Sequence, residues 1–137
     1  MVLSVNQYMI QPGIQGKHEQ TVTEALTAGR IGSGDLPVFA TPMMVSLVEQ
    51  TCWQSVADHL GDGETTVGTQ VNIAHLAATP VGMKVRCESE LTEVEGRRLR
   101  FAVKVFDECG LVGEGTHERF IVTTDRFLAK VKSKAAQ

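Results

Sequence analysis

Two periodicities divide this chain. Between residues 42 and 60, Val45, Val48, Cys52, Trp53, Val56, Ala57 and Leu60 recur at the spacing of one helix face. The pattern predicts a single long helix. Thr41 stands where an N-cap belongs, its hydroxyl able to accept from an unpaired N–H of the first turn. Pro42 follows at the first helical position, where its missing N–H costs nothing, and Gly61-Asp62-Gly63 supplies the stop. After that stop the period falls to two. Residues 66–77 read as a strand with Val67, Thr69, Val71, Ile73 and His75 on one face, broken by Thr79-Pro80-Val81-Gly82. Residues 83–94 alternate, with Met83, Val85, Cys87 and Leu91 inward against Lys84, Arg86, Glu88 and Glu90. A turn at Glu95-Gly96 leads to inward Leu99, Phe101, Val103 and Val105, and a second at Cys109-Gly110 leads to a strand over 111–124.

The ends are less patterned. Residues 1–16 are expected to form an arm, and 18–25 a weak first strand favoured by Thr21, Val22 and Thr23. Residues 28–37 hold Gly29, Gly32, Gly34 and Pro37, a loop placed to act as a flap over the helix start. Residues 125–137 form a basic tail with Arg126, Lys130, Lys132 and Lys134, and a short helical piece. The expected fold is α+β, one domain over 1–137 with one long helix packed on one antiparallel sheet. Short turns between consecutive strands imply antiparallel neighbours. One helix leaves part of such a sheet uncovered, so a dimer is expected.

Composition narrows the function classes. Hydrophobic residues make up 42% and charged residues 21%, as in a globular domain, and the net charge of −3 gives no general pull toward nucleic acid. No apolar run reaches the length of a membrane span. Residues 1–10 lack the basic start and apolar centre of a signal peptide, so a cytoplasmic location is expected. Cys52, Cys87 and Cys109 are odd in number and widely spaced, which argues against a disulfide framework or a cysteine zinc site. His18, His59, His75 and His117 show no ligand spacing, so no metal is expected.

Glu49 is the misfit. It falls inside the apolar helix stripe, one turn after Val45 and one before Trp53. A carboxylate there is costly unless paired or protonated, and its desolvation suits a general base or a nucleophile in a dry cleft. A bland alternative is a carboxylate that reaches water past Trp53 or pairs with an arginine. His75 ends an apolar strand face, where a lone histidine is by default a hydrogen-bonded core residue; with Glu49 it could supply the two titrating groups of acid–base catalysis. Thr41 is a cap, at a helix end that also stabilises negative charge. Gly68 marks a bulge or a close approach of ligand to backbone. On strict alternation Gly68 and His75 point to opposite faces, so a shared site needs a bulge between them. Arg119 taken alone reads as a solvated strand arginine.

These residues together resemble a known family. Val38-Phe39-Ala40-Thr41 followed eight positions later by Glu49, and Gly68-Thr69 followed by His75 and Ala77-Ala78-Thr79-Pro80, are similar to the fluoroacetyl-CoA thioesterases. Val94-Glu95-Gly96-Arg97-Arg98-Leu99 and Gly115-Thr116-His117-Glu118-Arg119 extend the resemblance over about residues 36 to 134. That family is a branch of the hotdog-fold thioesterases, in which an antiparallel sheet wraps a long helix and pairs edge to edge into a dimer.

The resemblance implies an acyl-CoA thioesterase. Thr41, Glu49 and His75 would be the catalytic group, the Gly68 backbone would sit by the thioester, and Arg119 would lie near the coenzyme A part of the substrate. Coenzyme A would be part of the substrate rather than a cofactor, and no cofactor is implied. The expected partners are the acyl-CoA and a second copy of the chain, as a homodimer or a higher oligomer. At one place the chain departs from the family. The phenylalanines of the family's apolar lid align with Gly32 and Asp35, leaving Leu36 and Phe39 as the nearest large apolar side chains. A small or short-chain acyl group is therefore expected, and selectivity for fluoroacetyl does not follow from the resemblance. Two other readings stay open: a hotdog enoyl-CoA hydratase or dehydratase, and a non-catalytic acyl-CoA-binding module.

Overall fold

In a computed structural model of the protein, described here for residues 10–136, five strands form one antiparallel sheet. β1 is Gln15–Thr21, β2 Glu64–His75, β3 Lys84–Glu95, β4 Arg98–Asp107 and β5 Gly110–Thr123. Three α-helices accompany them among the described residues, the short α1 (Ala28–Ile31), the central α2 (Thr41–Ala57) and the terminal α3 (Thr124–Ala135), with a 3-10 turn over Glu24–Leu26 before α1. The sheet order is β1-β3-β4-β5-β2. Thus β3, β4 and β5 are joined as successive hairpins, as their tight turns predict. The expectation of neighbouring consecutive strands fails for β2, which does not pair with β3. The segment around Pro80 carries the chain across the sheet, and β2 becomes an edge strand paired with β5 alone. The result is the hotdog arrangement, α2 lying along one face of the sheet.

That face is apolar because the strand periodicities converge on it. Leu99, Phe101, Val103 and Val105 of β4 and Val85, Cys87 and Leu91 of β3 are buried against Met44, Leu47, Val48, Cys52 and Val56 of α2. The opposite face carries cross-strand charge, including Glu118 of β5 against Arg98 and Arg100 of β4. Burial of this continuous cluster, at roughly 25 cal/mol per Å² of apolar surface, is the main term holding helix to sheet.

Several boundaries differ from the sequence expectation. β1 begins at Gln15, so residues 15 and 16 of the expected arm are strand and residues 22–25 are not; arm residues 1–9 lie outside the described residues. Gly16 lets β1 approach α2 closely, since a Cβ there would lie 2.7 Å from Ser55 Cβ and 3.1 Å from the Thr51 carbonyl oxygen. The helix ends at Ala57, short of Leu60. Its N-cap is Ala40, and Thr41 is the first helical residue with its hydroxyl committed elsewhere. The buried stripe is also rotated. Met44, Leu47 and Thr51 are inside, whereas Trp53 is 43% exposed and Ala57 is exposed. The 3.6-residue period holds, and the buried stripe is rotated away from the flank that carries Glu49 and Trp53.

Candidate active site

The site residues follow from a bulge in β2. Val67 pairs with Phe120, Gly68 with Arg119, Gln70 with Glu118 and Val71 with His117, so Thr69 is one residue extra. An unpaired residue reverses the alternation beyond it. Val67 and Thr69 therefore leave the face expected for them. Gly68, Val71, Ile73 and His75 share the helix face with Arg119, His117, Gly115 and Gly113. The bulge that a shared Gly68–His75 face requires is present.

Glu49 is not buried in the core. It sits on the flank of α2 beside β2, its side chain 43% exposed. Its Oε2 lies so close to the backbone of Gly68 that a Cβ on that residue would stand 2.6 Å away. Only glycine leaves room for the carboxylate at that position. Beneath it lies Arg119, whose side chain is 8% exposed and whose Nη1 is 3.9 Å from Glu49 Oε2. Arg119 is held from three directions. Its Nε donates to Thr66 Oγ1 (2.8 Å), its Nη2 to the Thr66 carbonyl (2.9 Å) and its Nη1 to His117 Nε2 (3.2 Å). Burial draws the guanidinium pKa below its ordinary value, and the Glu49 carboxylate opposes that shift.

His117 completes this group. The ring is fully buried, stacked on Phe101 at 6.1 Å between centroids, and bonds the Gln70 carbonyl through Nδ1 at 2.7 Å. A carbonyl only accepts, so Nδ1 carries the proton; Nε2 accepts from Arg119, and the imidazole is neutral. Burial pushes its pKa below the ordinary 6.5, Arg119 adds to the shift, and the Gln70 carbonyl opposes it. Sequence reasoning passed over this histidine. The available signal was its place two residues before Arg119, on the same strand face.

Thr41 and His75 form a second group. Thr41 Oγ1 and His75 Nδ1 share a 2.7 Å hydrogen bond. His75 Nε2 is buried and has no hydrogen-bond partner among the described residues. The two groups do not coincide within one chain. Thr41 and Glu49 are separated by about 12 Å of helix, and Gly68 and His75 by roughly 20 Å of strand.

The remaining candidates divide as follows. Phe39, 1% exposed, is a core residue whose N–H bonds the Thr79 carbonyl, whereas Leu36 is 61% exposed on the segment before it. Cys52 and Cys87 are buried. Burial raises both thiols, Cys87 to about 11, so neither is a ready thiolate nucleophile. Among the described residues no three His, Cys, Asp or Glu side chains gather as a metal site would need, and no helix is long and apolar enough to cross a membrane. A hollow of about 700 Å³ opens across the middle of the sheet, lined by Gln15, Glu88, Ala102, Lys104 and Thr116 among others, and by none of Thr41, Glu49, Gly68, His75, His117 and Arg119.

This geometry meets an independent observation. Residues 22–125 match the model of the fluoroacetyl-CoA-specific thioesterases. The chain belongs to that family. It is a thioesterase, a thioester hydrolase on the hotdog fold. A fluoroacetyl-CoA thioesterase from Streptantibioticus cattleyicolor is 44% identical over 97 residues, 71% of this chain and 70% of that one. The structure of a threonine-to-serine mutant of a fluoroacetyl-CoA thioesterase in complex with acetyl-CoA superposes with a TM-score of 0.87 at 35% identity, covering 91% of this chain and 98% of that one. A Thermus thermophilus thioesterase-superfamily member gives 0.87 at 29% identity, over 93% and 94% of the two chains.

Proposed function

We propose that this thioesterase hydrolyses a small or short-chain acyl-CoA in a site shared by two copies of the chain. The observation that carries this reading is the division of the candidate residues along β2. Glu49, Gly68 and Arg119 gather at one end of the strand and Thr41 with His75 at the other, all on the helix face. β2 is an edge strand of twelve residues, one side of it unpaired among the described residues. An exposed edge of that length is a template for pairing with another strand. Antiparallel pairing of two β2 edges about a two-fold axis midway between Gly68 and His75 would set each Thr41–His75 pair beside the Glu49 group of the other copy. The same pairing would cover Trp53, which shares the flank of Glu49 one turn along α2, and would offer His75 Nε2 a partner.

In that site the thioester carbonyl lies over the Gly68 backbone. Glu49 accepts a proton from water as its oxygen bonds to the acyl carbon, or bonds to that carbon itself and is released by water in a second step. In either route the C–S bond breaks, the acyl group leaves as the acid and the thiolate of coenzyme A takes up the proton. Thr41 and His75 orient the reactants and stabilise the oxyanion. Arg119 fixes the carboxylate from below. Leu36, 61% exposed before the helix, is a large apolar side chain open to an acyl group. Gly32 and Asp35 build no aromatic lid, and the acyl group is a simple short chain.

Free-thiol release from acetyl-, branched-, aryl- and fluoroacetyl-CoA tests the reading, with Glu49→Ala and His75→Ala beside the native protein. The expected result is turnover of a short acyl-CoA that drops on the order of 10²–10⁴-fold in both variants. Native turnover in Glu49→Ala, or no thiol release from any substrate, would overturn it.

A further inference from the structure

The inward positions of β5 set a histidine and an arginine side by side in an otherwise apolar face. A phenylalanine at 117 would pack on Phe101 with no polar atom to satisfy, so packing alone does not explain the imidazole. Its two nitrogens reach different parts of the site. Nδ1 donates to the carbonyl of Gln70, the residue at which β2 resumes its pairing with β5 after the extra Thr69. Nε2 accepts from Arg119 Nη1 at 3.2 Å. The other neighbour of that Nη1 is Glu49 Oε2, at 3.9 Å. The same three side chains bound the space beside Gly68. A Cβ built there would stand 2.6 Å from Glu49 Oε2, 3.3 Å from His117 Cε1 and 3.4 Å from Arg119 Nη1. Two hydrogen bonds and an ion pair therefore lead from the bulge, through ring and guanidinium, to the carboxylate.

We propose that His117 is a positioning residue for the hydrolysis: it ties the β2 bulge to Arg119 and fixes the angle at which the guanidinium meets Glu49. The proposal rests on the catalytic reading of Glu49 given above. Thr66 holds one edge of the guanidinium, through Nε and Nη2. Two bonds along one edge leave a planar group able to rock about that edge. His117 holds the opposite corner, Nη1, which is the corner that faces Glu49. The acceptor is neutral and buried, so it fixes the cation without competing with the carboxylate for its charge. A shift of about 1 Å in the charge that steadies a reacting group is enough to cost much of the rate.

The test separates the two ends of the imidazole. Glutamine carries an acceptor out to the Nε2 position, whereas the shorter asparagine reaches only the Nδ1 position, with a donor. His117→Gln is expected to keep kcat within about 3-fold of native, and His117→Asn to lower it roughly 10- to 100-fold with KM little changed. A histidine that merely pins the bulge would give the reverse order. That order, equal losses in the two variants, or a change in KM alone would overturn the assignment. In an Arg119→Met background His117→Asn is expected to lower kcat no further; an additive loss would mean that the ring does not act through Arg119. His117→Phe, which refills the place on Phe101, replaces His117→Asn in these comparisons if the latter does not fold. Nitrogen NMR of the Arg119 guanidinium reads the same geometry without substrate. Separate Nη signals in the native protein and in His117→Gln, merged in His117→Asn, support the assignment even if no thioester is cleaved, an outcome in which only the reading of the active site fails. Merged signals in the native protein refute it.

Discussion

The two ends of β2 are built differently. At the Gly68 end, Glu49 rests on a guanidinium that is buried, bonded to Thr66 and braced by a buried neutral histidine. The buried polar groups of Arg119 and His117 all have their partners inside the chain. At the His75 end there is one hydrogen bond, to an exposed threonine, and a buried ring nitrogen left without a partner among the described residues. One corner is complete and the other is half of something. The difference teaches what the proposed second copy would have to supply: a finished polar cluster needs nothing more, whereas a buried nitrogen unpartnered among the described residues, beside an edge strand, does.

Complementation breaks or sharpens this contrast most directly. Glu49→Ala and His75→Ala proteins, each inactive alone, are denatured together and refolded. If the site is shared between copies, random pairing restores about a quarter of native activity, because half the dimers are mixed and each holds one intact site. No recovery from well-folded mixed dimers would place the whole site in one chain and remove the role given to the β2 edge.

Next in size is Arg119→Met. It strands the Thr66 carbonyl, the Thr66 hydroxyl and His117 Nε2 in a buried place, and about 3 kcal/mol of stability should be lost. Arg119→Lys should recover only part of it, since an ammonium lacks the fork that reaches all three acceptors. Chemical denaturation checks both. The same measurement on Thr41→Ala, at the looser end, should change by less than about 0.5 kcal/mol. Equal losses at the two ends would erase the distinction drawn between them.

The smallest effect is a pH slope from His117. Its folded pKa lies below the ordinary 6.5 because burial disfavours the imidazolium. As pH falls below about 6.5 the unfolded chain takes up a proton that the folded ring refuses, so this contribution to stability is present above that value and is lost below it. The slope approaches at most about 1.4 kcal/mol per pH unit. Denaturation midpoints at pH 7.5 and pH 5.5 should therefore diverge in the native protein and converge in His117→Gln. An unchanged slope in that variant would mean that the acid sensitivity arises elsewhere.

Much of the architecture was legible because local chemistry dictated it. The helix from Thr41 announced itself through Pro42 and a 3.6-residue period, and the β3, β4 and β5 hairpins through alternation around Glu95-Gly96 and Cys109-Gly110. Glu49, Gly68 and His75 were visible as misfits to those patterns. Thr41 was misread as a cap because a hydroxyl before Pro42 fits that role, and only the approach of His75 gives it another. Trp53 falls at the spacing of the apolar stripe, so periodicity alone reads it as buried, yet the buried side of the helix is set by Met44, Leu47 and Thr51 and leaves Trp53 43% exposed.

What the sequence by itself determined is the set of elements and the residues too costly to be there by accident, since propensity, periodicity and turn chemistry act over a few residues. What only the tertiary structure decided is their juxtaposition. The extra residue at Thr69 reverses one strand's alternation and so brings Gly68 and His75 to one face, and no composition rule announces a bulge. The position of β2 at the edge, the burial of Arg119 on His117, and the gap that separates Glu49 from His75 depend on contacts between residues far apart in the chain. Local free energies do not encode these. They are settled only when the whole apolar face of the sheet closes on the helix.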